Sequence, residues 1–395
     1  MNKLSLENTK EMSYADKLAM IDKISAQVNE KAGKKIAGRI GADPEIMDKL
    51  TIKFIESKSK DFNRATGGGY PRSRCTIIAG AEDSGKTSRV LEDIGYQMSI
   101  NPNFWAIWIE SEKSLEKDFI CETFKVDPER FVFIEYDDTK GAEGILDILY
   151  GFMKQVPFDL VCINSLKCLT PKKILDSDMD FSQPGVAARL NSLMVSKFIA
   201  LVSNQSTAFI IITHQYTAIG GYGSPQVITG GNAIKYWAAL TLGFSKSSIK
   251  EDDPIGKEDG MHINVSIKKN HCVPNRNPYV KFDYYVIFNE GTEQILSSVP
   301  ELIDAGILSV SAGNYKVFND KGEEEWKIRG KNNFREYMKE HPDFFESLCT
   351  RLNNDGSKVQ VMTEEEVAAA EKEQEEEAKA AAEVSEKKTR GKKSK

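Results

Sequence analysis

Residues 80–87 read GAEDSGKT, a complete GxxxxGK[ST] pattern lying directly between the β-branched run CTIIA and the helix-like segment TSRVLEDIGYQM. No other stretch constrains the fold as far, because a loop of this kind works only where a buried strand delivers it to the N-terminus of a helix. Its glycines allow a curled loop whose N–H groups converge on phosphate oxygens, and the helix N-terminus adds a favourable potential. Lys86 can then reach the outer phosphates and Thr87 can hold Mg²⁺. The expected nucleotide-binding residues are Gly80, Ala81, Glu82, Asp83, Ser84, Gly85, Lys86, Thr87 and Ser88, with ATP and Mg²⁺ as the implied cofactors.

The flanking pattern extends that strand into a sheet. Between Cys75 and Phe288, runs such as FWAIWIE, RFVFIEY, DLVCINS and AFIIITH alternate with helix-length segments. Strands apolar on both faces and separated by helices predict an α/β core with a mainly parallel sheet covered on both sides. The later runs AALTLGF, HINVSIKK and YYVIF follow one another closely, which predicts added antiparallel strands. Leu18, Ile21, Ile24 and Val28 recur at helical spacing in an N-terminal amphipathic helix followed by a glycine-punctuated connector. After Glu290 a small α/β unit is expected, with PELIDAGILSV and NNFREYMKEHPDFFESLCTRL as helices around NYKVFNDKGEEEWKI. The expected division is 1–48 for the N-terminal helical element, 49–290 for the core, 291–362 for the small C-terminal domain and 363–395 for a charged, low-complexity tail.

A length of 395 residues suits two or three globular units, and 40% hydrophobic with 28% charged residues is an ordinary water-soluble balance. No uninterrupted apolar run reaches the ~18 residues of a spanning helix, and the N-terminus lacks a signal-peptide-like stretch, so a cytoplasmic protein with no membrane partner is expected. The six cysteines show no CxxC pair or Cys/His ligand spacing and read as reduced packing residues. Net charge is −6, and the residues before Thr363 carry 45 basic against 49 acidic side chains. Any nucleic-acid site must therefore be local rather than a global positive field.

Two further strand ends carry chemistry. FWAIWIESEKSLEKDF leaves Glu110 and Glu112 near the C-terminal end of a strand, where one carboxylate could polarise a water. DLVCINSL ends in Asn164 and Ser165, where a P-loop ATPase usually has an Asp that orders the Mg²⁺ shell. Thr87 and Asn164 are the expected metal-facing pair, and the missing charge at Asn164 implies slow hydrolysis.

The order of these motifs from about Phe62 to Phe334 resembles the RecA family of DNA strand-exchange ATPases. The resemblance implies a RecA-like P-loop core, with Glu112 as catalytic glutamate alongside Lys86, and Gln215 as γ-phosphate sensor at the end of FIIITHQ. It places Glu116 and Phe119 near adenine and gives Lys269 of SIKKNHCVPN a role across a subunit interface, with His271 standing where a second Lys would be expected. NSLKCLTPKKILDSDMDFSQPGVAARL is similar to the first DNA-binding loop, with Arg189 approaching the backbone. YTAIGGYGSPQVITGGN is similar to the second, with Tyr216, Ile219, Tyr222, Gly230, Gly231 and Asn232 as DNA-binding residues. Taken one at a time, Arg189 has a solvated helix residue as its less favoured alternative, Gln215 reads equally as a buried amide, Phe119 reads more readily as core, and His214 has no metal-ligand partners. Their joint order around one P-loop carries the reading.

The function implied is a DNA-dependent ATPase that forms helical homo-oligomeric filaments on single-stranded DNA and promotes pairing with duplex DNA and strand exchange. Two alternatives remain open in the sequence: a RecA-fold regulatory or motor ATPase, and an ATP-binding structural filament with little hydrolysis. The tail is either a solubility element or an acidic competitor for basic surface.

Overall fold

The computed structural model describes residues 12–178, 185–217, 226–228, 231–250, 259–273, 280–288, 290–319 and 321–354. The chain divides into two compact units, 1–53 and 54–395.

In the first unit, Tyr14–Ala32 forms helix α1, which starts where the Ser13 hydroxyl accepts from the Asp16 N–H and ends at Gly33 in the left-handed region. The connector folds back onto α1: Asn29 bonds the backbone of Ile36 and Ala37, and the Arg39 guanidinium makes two 2.8 Å bonds to Asp22. A second helix, α2 (Pro44–Leu50), was missed in the sequence although its start signals are present, Asp43 as N-cap and Pro44 at the first position.

The second unit opens with β1 (Phe54–Ile55), α3 (Lys60–Thr66) and β2 (Tyr70–Pro71), then β3 (Arg74–Gly80) and α4 (Lys86–Ile100). There follow β4 (Ala106–Glu110), β5 (Phe131–Glu135), α5 (Gly141–Gln155), β6 (Leu160–Asn164), α6 (Lys172–Leu175), α7 (Val186–Gln205) and β7 (Ala208–Thr217). Next come β8 (Gln226–Ile228), α8 (Asn232–Trp237), β9 (Ala238–Ser247), β10 (Gly260–Asn270), β11 (Lys281–Ile287) and β12 (Gly291–Glu293). Among the described residues the central sheet runs β12-β11-β10-β9-β3-β7-β6-β4-β5. Pairing is parallel from β5 through β9 and antiparallel from β9 through β12, as the close spacing of the later runs predicted.

Strand alternation explains why both faces are apolar. Ile77, Ile109, Ile163 and Ile211 point into one core with Leu149 of α5, Phe198 of α7 and Ile234 of α8, while Ile78, Trp108, Cys162 and Ile210 are equally buried on the other side. Helix α7 is long and apolar enough by composition to cross a bilayer, yet Met194, Phe198 and Val202 pack it on the sheet. All six cysteines are free thiols.

Beyond β12 come α9 (Gln294–Ser297), α10 (Val299–Asp304), β13 (Leu308–Ser311), β14 (Asn314–Phe318), β15 (Glu324–Arg329), α11 (Lys331–Glu340) and α12 (Pro342–Asn354). The sequence predicted one helix over PELIDAGILSV, but it stops before Gly306, and Leu308–Ser311 is instead an edge strand paired antiparallel with β14. Tyr285 and Ile287 of the central sheet share a core with Leu302, Val317, Phe334 and Leu348, so the C-terminal elements continue the sheet's antiparallel end.

A buried ionic cluster fastens α4 to that end. Arg89, with no exposed side-chain surface, pairs with Asp93 at 2.6 Å and Glu92 at 3.0 Å and donates to Thr292 of β12 at 2.9 Å. Asp93 also accepts from the hydroxyls of Ser57 and Tyr70 and from the Lys58 N–H, so its second oxygen is satisfied too. Burial alone would raise the Glu92 carboxyl, but Arg89 and Lys58 hold it down to about 2.

Candidate active site

The phosphate loop is built by close approach. A Cβ on Gly80 would lie 2.4 Å from the Phe244 carbonyl of β9, and Gly85, at φ +78°, turns the chain into α4 in a conformation that L side chains avoid. The Ser84 hydroxyl donates to the Ala81 carbonyl at 2.8 Å, and the Lys86 ammonium bonds the same carbonyl and lies 3.3 Å from Ser84 Oγ. Burial lowers the Lys86 pKa, while Glu112, Asp83 and Glu82 favour its charged form. Exposed Asp83 is met by Lys246 of β9 at 3.5 Å.

Strand register then sets the chemistry around the loop. Gly80 pairs with His214 and Glu110 pairs with Asn164, so residues from β3, β4, β6 and β7 end at one level of the sheet. The Thr87 hydroxyl donates to Asn164 Oδ1 at 3.3 Å. Asn164 Nδ2 donates to Glu110 Oε2 at 2.8 Å, and Trp108 Nε1 donates to the same oxygen at 3.0 Å. The backbone N–H of Glu112 donates to Glu110 Oε1, and Glu112 Oε1 lies 2.8 Å from Nε2 of His214.

The expected Lys86, Thr87, Asn164 and Glu112 are thus brought together with Glu110, the other strand-end carboxylate, and they are joined by His214, to which the sequence assigns no role. Gln215, the expected γ-phosphate sensor, follows at the end of β7, and the side chain seen to meet Glu112 is that of its neighbour His214. The signal was available: a His at the C-terminal end of a buried strand beside the phosphate-loop strand. Thr87 and Asn164 offer hard oxygen donors, which fit Mg²⁺, an ion that takes few protein ligands and completes its shell with phosphate and water. Among the described residues no group of three His, Cys, Asp or Glu could hold a metal ion by itself.

Beside the loop an open pocket of about 250 Å³ is lined by Gly85, Ser88, Phe119, Phe288 and Gly291 among others. Phe119, half exposed, stands edge-on to Phe124 at 4.8 Å, and Phe288 is similarly exposed. Such a slot suits a flat base, and Phe288 was not expected from the sequence. Glu116 is exposed outside this lining. Lys269 donates to the Lys235 carbonyl of α8 at 2.9 Å and is not joined to the network around Lys86. Burial lowers its pKa.

On the neighbouring face, the starts of α7 and α8 meet: a groove is lined by Lys167, Ile174, Gly185, Ala188, Asn191 and Gly231. Arg189 and Asn232 are exposed there, one on each helix. The second candidate loop begins within paired backbone, β7 running antiparallel to β8 with Tyr216 opposite Val227. Of Tyr216 only the backbone is described, and Ile219, Tyr222 and Gly230 lie outside the described residues, as does the charged tail.

Comparison with known proteins agrees with this arrangement. Residues 19–293 match the family profile described as the RecA N-terminal domain. The chain is 28% identical over 357 residues to Protein RecA of Syntrophus aciditrophicus, covering 89% of this chain and 98% of the relative. It is 28% identical over 352 residues to Protein RecA of Bartonella henselae (88% and 95% covered) and 27% identical over 349 residues to that of Caulobacter vibrioides (87% and 92% covered). With a phosphate loop, a buried carboxylate–amide pair and a glutamate–histidine pair at the ends of one parallel sheet, and a profile match across most of its length, this chain belongs to the RecA family.

Proposed function

We propose that this protein is an ATP-dependent recombinase of the cytoplasm that assembles on single-stranded DNA and promotes homologous pairing and strand exchange in recombination and repair. The observation that carries the reading is the Glu112–His214 pair, because it joins the candidate catalytic carboxylate to the strand that runs directly into the second candidate DNA loop. The relatives named Protein RecA support the same reading.

In this reading the loop N–H groups and Lys86 bind the triphosphate, and the base enters the slot between Phe119 and Phe288. Thr87 and Asn164 hold Mg²⁺, which when bound neutralises charge on the outer phosphate oxygens. Glu112 accepts a proton from the attacking water once it leaves His214, and DNA contact at the second loop acts on β7 and so on that pairing. The exposed Ile21, Ile24 and Val28 of α1 give an apolar stripe for a second copy of the chain. A structural filament with little turnover is the second reading, favoured by the uncharged Asn164.

The test is steady-state ATP hydrolysis with and without single-stranded DNA, joined to a displacement-loop assay and electron microscopy of the DNA complex. Filaments, DNA-stimulated hydrolysis and joint molecules support the recombinase. Filaments without turnover or joint molecules support the second reading. Lys86→Ala should abolish all of them while leaving the fold intact.

A further inference from the structure

Asn164 is uncharged, yet a full carboxylate lies against it from the adjacent strand. Glu110 is 1% exposed and accepts three N–H donors: the Asn164 amide at 2.8 Å and the Trp108 indole at 3.0 Å on one oxygen, and the Glu112 backbone at 3.0 Å on the other. Three such bonds satisfy both oxygens of the buried carboxylate and hold it in place. They also fix the orientation of the Asn164 amide. Turning it over would set its oxygen 2.8 Å from a carboxylate oxygen, acceptor against acceptor, between two side chains shielded from bulk solvent. The oxygen of Asn164 is therefore directed at Thr87, 3.3 Å away.

We propose that Glu110 is the positioning residue of this site. From β4 it orients the Asn164 oxygen toward Thr87 and supplies the negative charge that β6 lacks, so that the two residues together serve a divalent cation as one β6 carboxylate would. The proposal rests on the nucleotide-site reading given above. On this reading Asn164→Asp alone sets two buried carboxylates 2.8 Å apart and should destabilise the site rather than complete it. Moving the single charge from β4 to β6 requires both Glu110→Gln and Asn164→Asp.

The experiment is equilibrium binding of a fluorescent ATP analogue to the full chain, titrated with Mg²⁺, for the wild type, Glu110→Gln, Asn164→Asp and the double variant, with thermal unfolding in Mg²⁺-free buffer. Glu110→Gln should raise the Mg²⁺ concentration for half-maximal binding about tenfold, one charge–cation interaction, without weakening Mg²⁺-free binding. The double variant should return it to within about threefold of wild type, with non-additivity marking direct coupling. Asn164→Asp should lower the unfolding temperature by several degrees, and the double variant should restore it. An unchanged Mg²⁺ requirement in Glu110→Gln, or a double variant no better than Glu110→Gln, overturns the proposal. Should Glu110→Gln not fold, an Asn164→Asp protein as stable as wild type in Mg²⁺-free buffer overturns it instead. If the wild type binds nucleotide without regard to Mg²⁺, and Lys86→Ala binds equally well, the nucleotide-site reading fails first and takes the proposal with it.

Discussion

Glu112 Oε1 and His214 Nε2 lie 2.8 Å apart, a side-chain link from the residues after β4 to β7 that passes over the end of the intervening strand β6. It holds the candidate catalytic carboxylate to the strand that leads toward the second candidate DNA loop. His214→Ala removes the hold, so hydrolysis without DNA should rise relative to hydrolysis with DNA, and the stimulation ratio should shrink severalfold. Nucleotide affinity should stay near wild type. Steady-state ATPase at saturating single-stranded DNA measures the ratio, and an unaltered ratio would show that the pair has no gating role.

Phe119 and Phe288 flank the pocket beside the phosphate loop. Phe119→Ala should weaken ATP binding by about 0.5–1.5 kcal/mol, the size of an aromatic stacking contact, and leave inorganic tripolyphosphate binding unchanged. Phe119→Tyr should bind ATP like wild type. Competition titrations with both ligands check this, and equal losses for the two would place the base elsewhere.

Arg89 is the cation at the centre of a cluster in which Asp93 has no exposed side-chain surface. Arg89→Met should destabilise the protein by about 3–5 kcal/mol, because a buried carboxylate is left without its counter-ion. Asp93 keeps its bonds from Ser57, Tyr70 and Lys58, so the lower end of that range is expected. Urea denaturation followed by far-UV circular dichroism gives the value.

Asp61 of α3 lies 3.0 Å from Arg64, which also pairs with Glu301 of α10. Burial and the Glu301 charge push the Asp61 carboxyl up to about 7, against the pull of Arg64. A raised carboxyl pKa means that the folded state holds a proton the unfolded chain releases, so stability falls as pH rises from about 4 to about 7 and levels off above. Thermal unfolding between pH 5 and 8 should show a decline of several degrees in the wild type that is much reduced in Asp61→Asn. Parallel slopes for the two proteins would assign the pH dependence to other groups.

Local order was legible wherever one chemical pattern admits one local structure. GAEDSGKT between a β-branched run and an amphipathic run fixed the strand, loop and helix that hold phosphate, and the doubly apolar runs fixed a parallel sheet with covered faces. The short α2 and the edge strand Leu308–Ser311 were harder, since a few residues of weak propensity take their structure from what they pair with. Tertiary register decided the rest. That Glu110 lies opposite Asn164 depends on how β4 aligns with β6, and that His214 meets Glu112 depends on which side of β7 it leaves. A one-residue slip in either strand would exchange those partners, and strands buried on both faces lack the polar–apolar alternation that marks the register of a half-buried strand in its sequence.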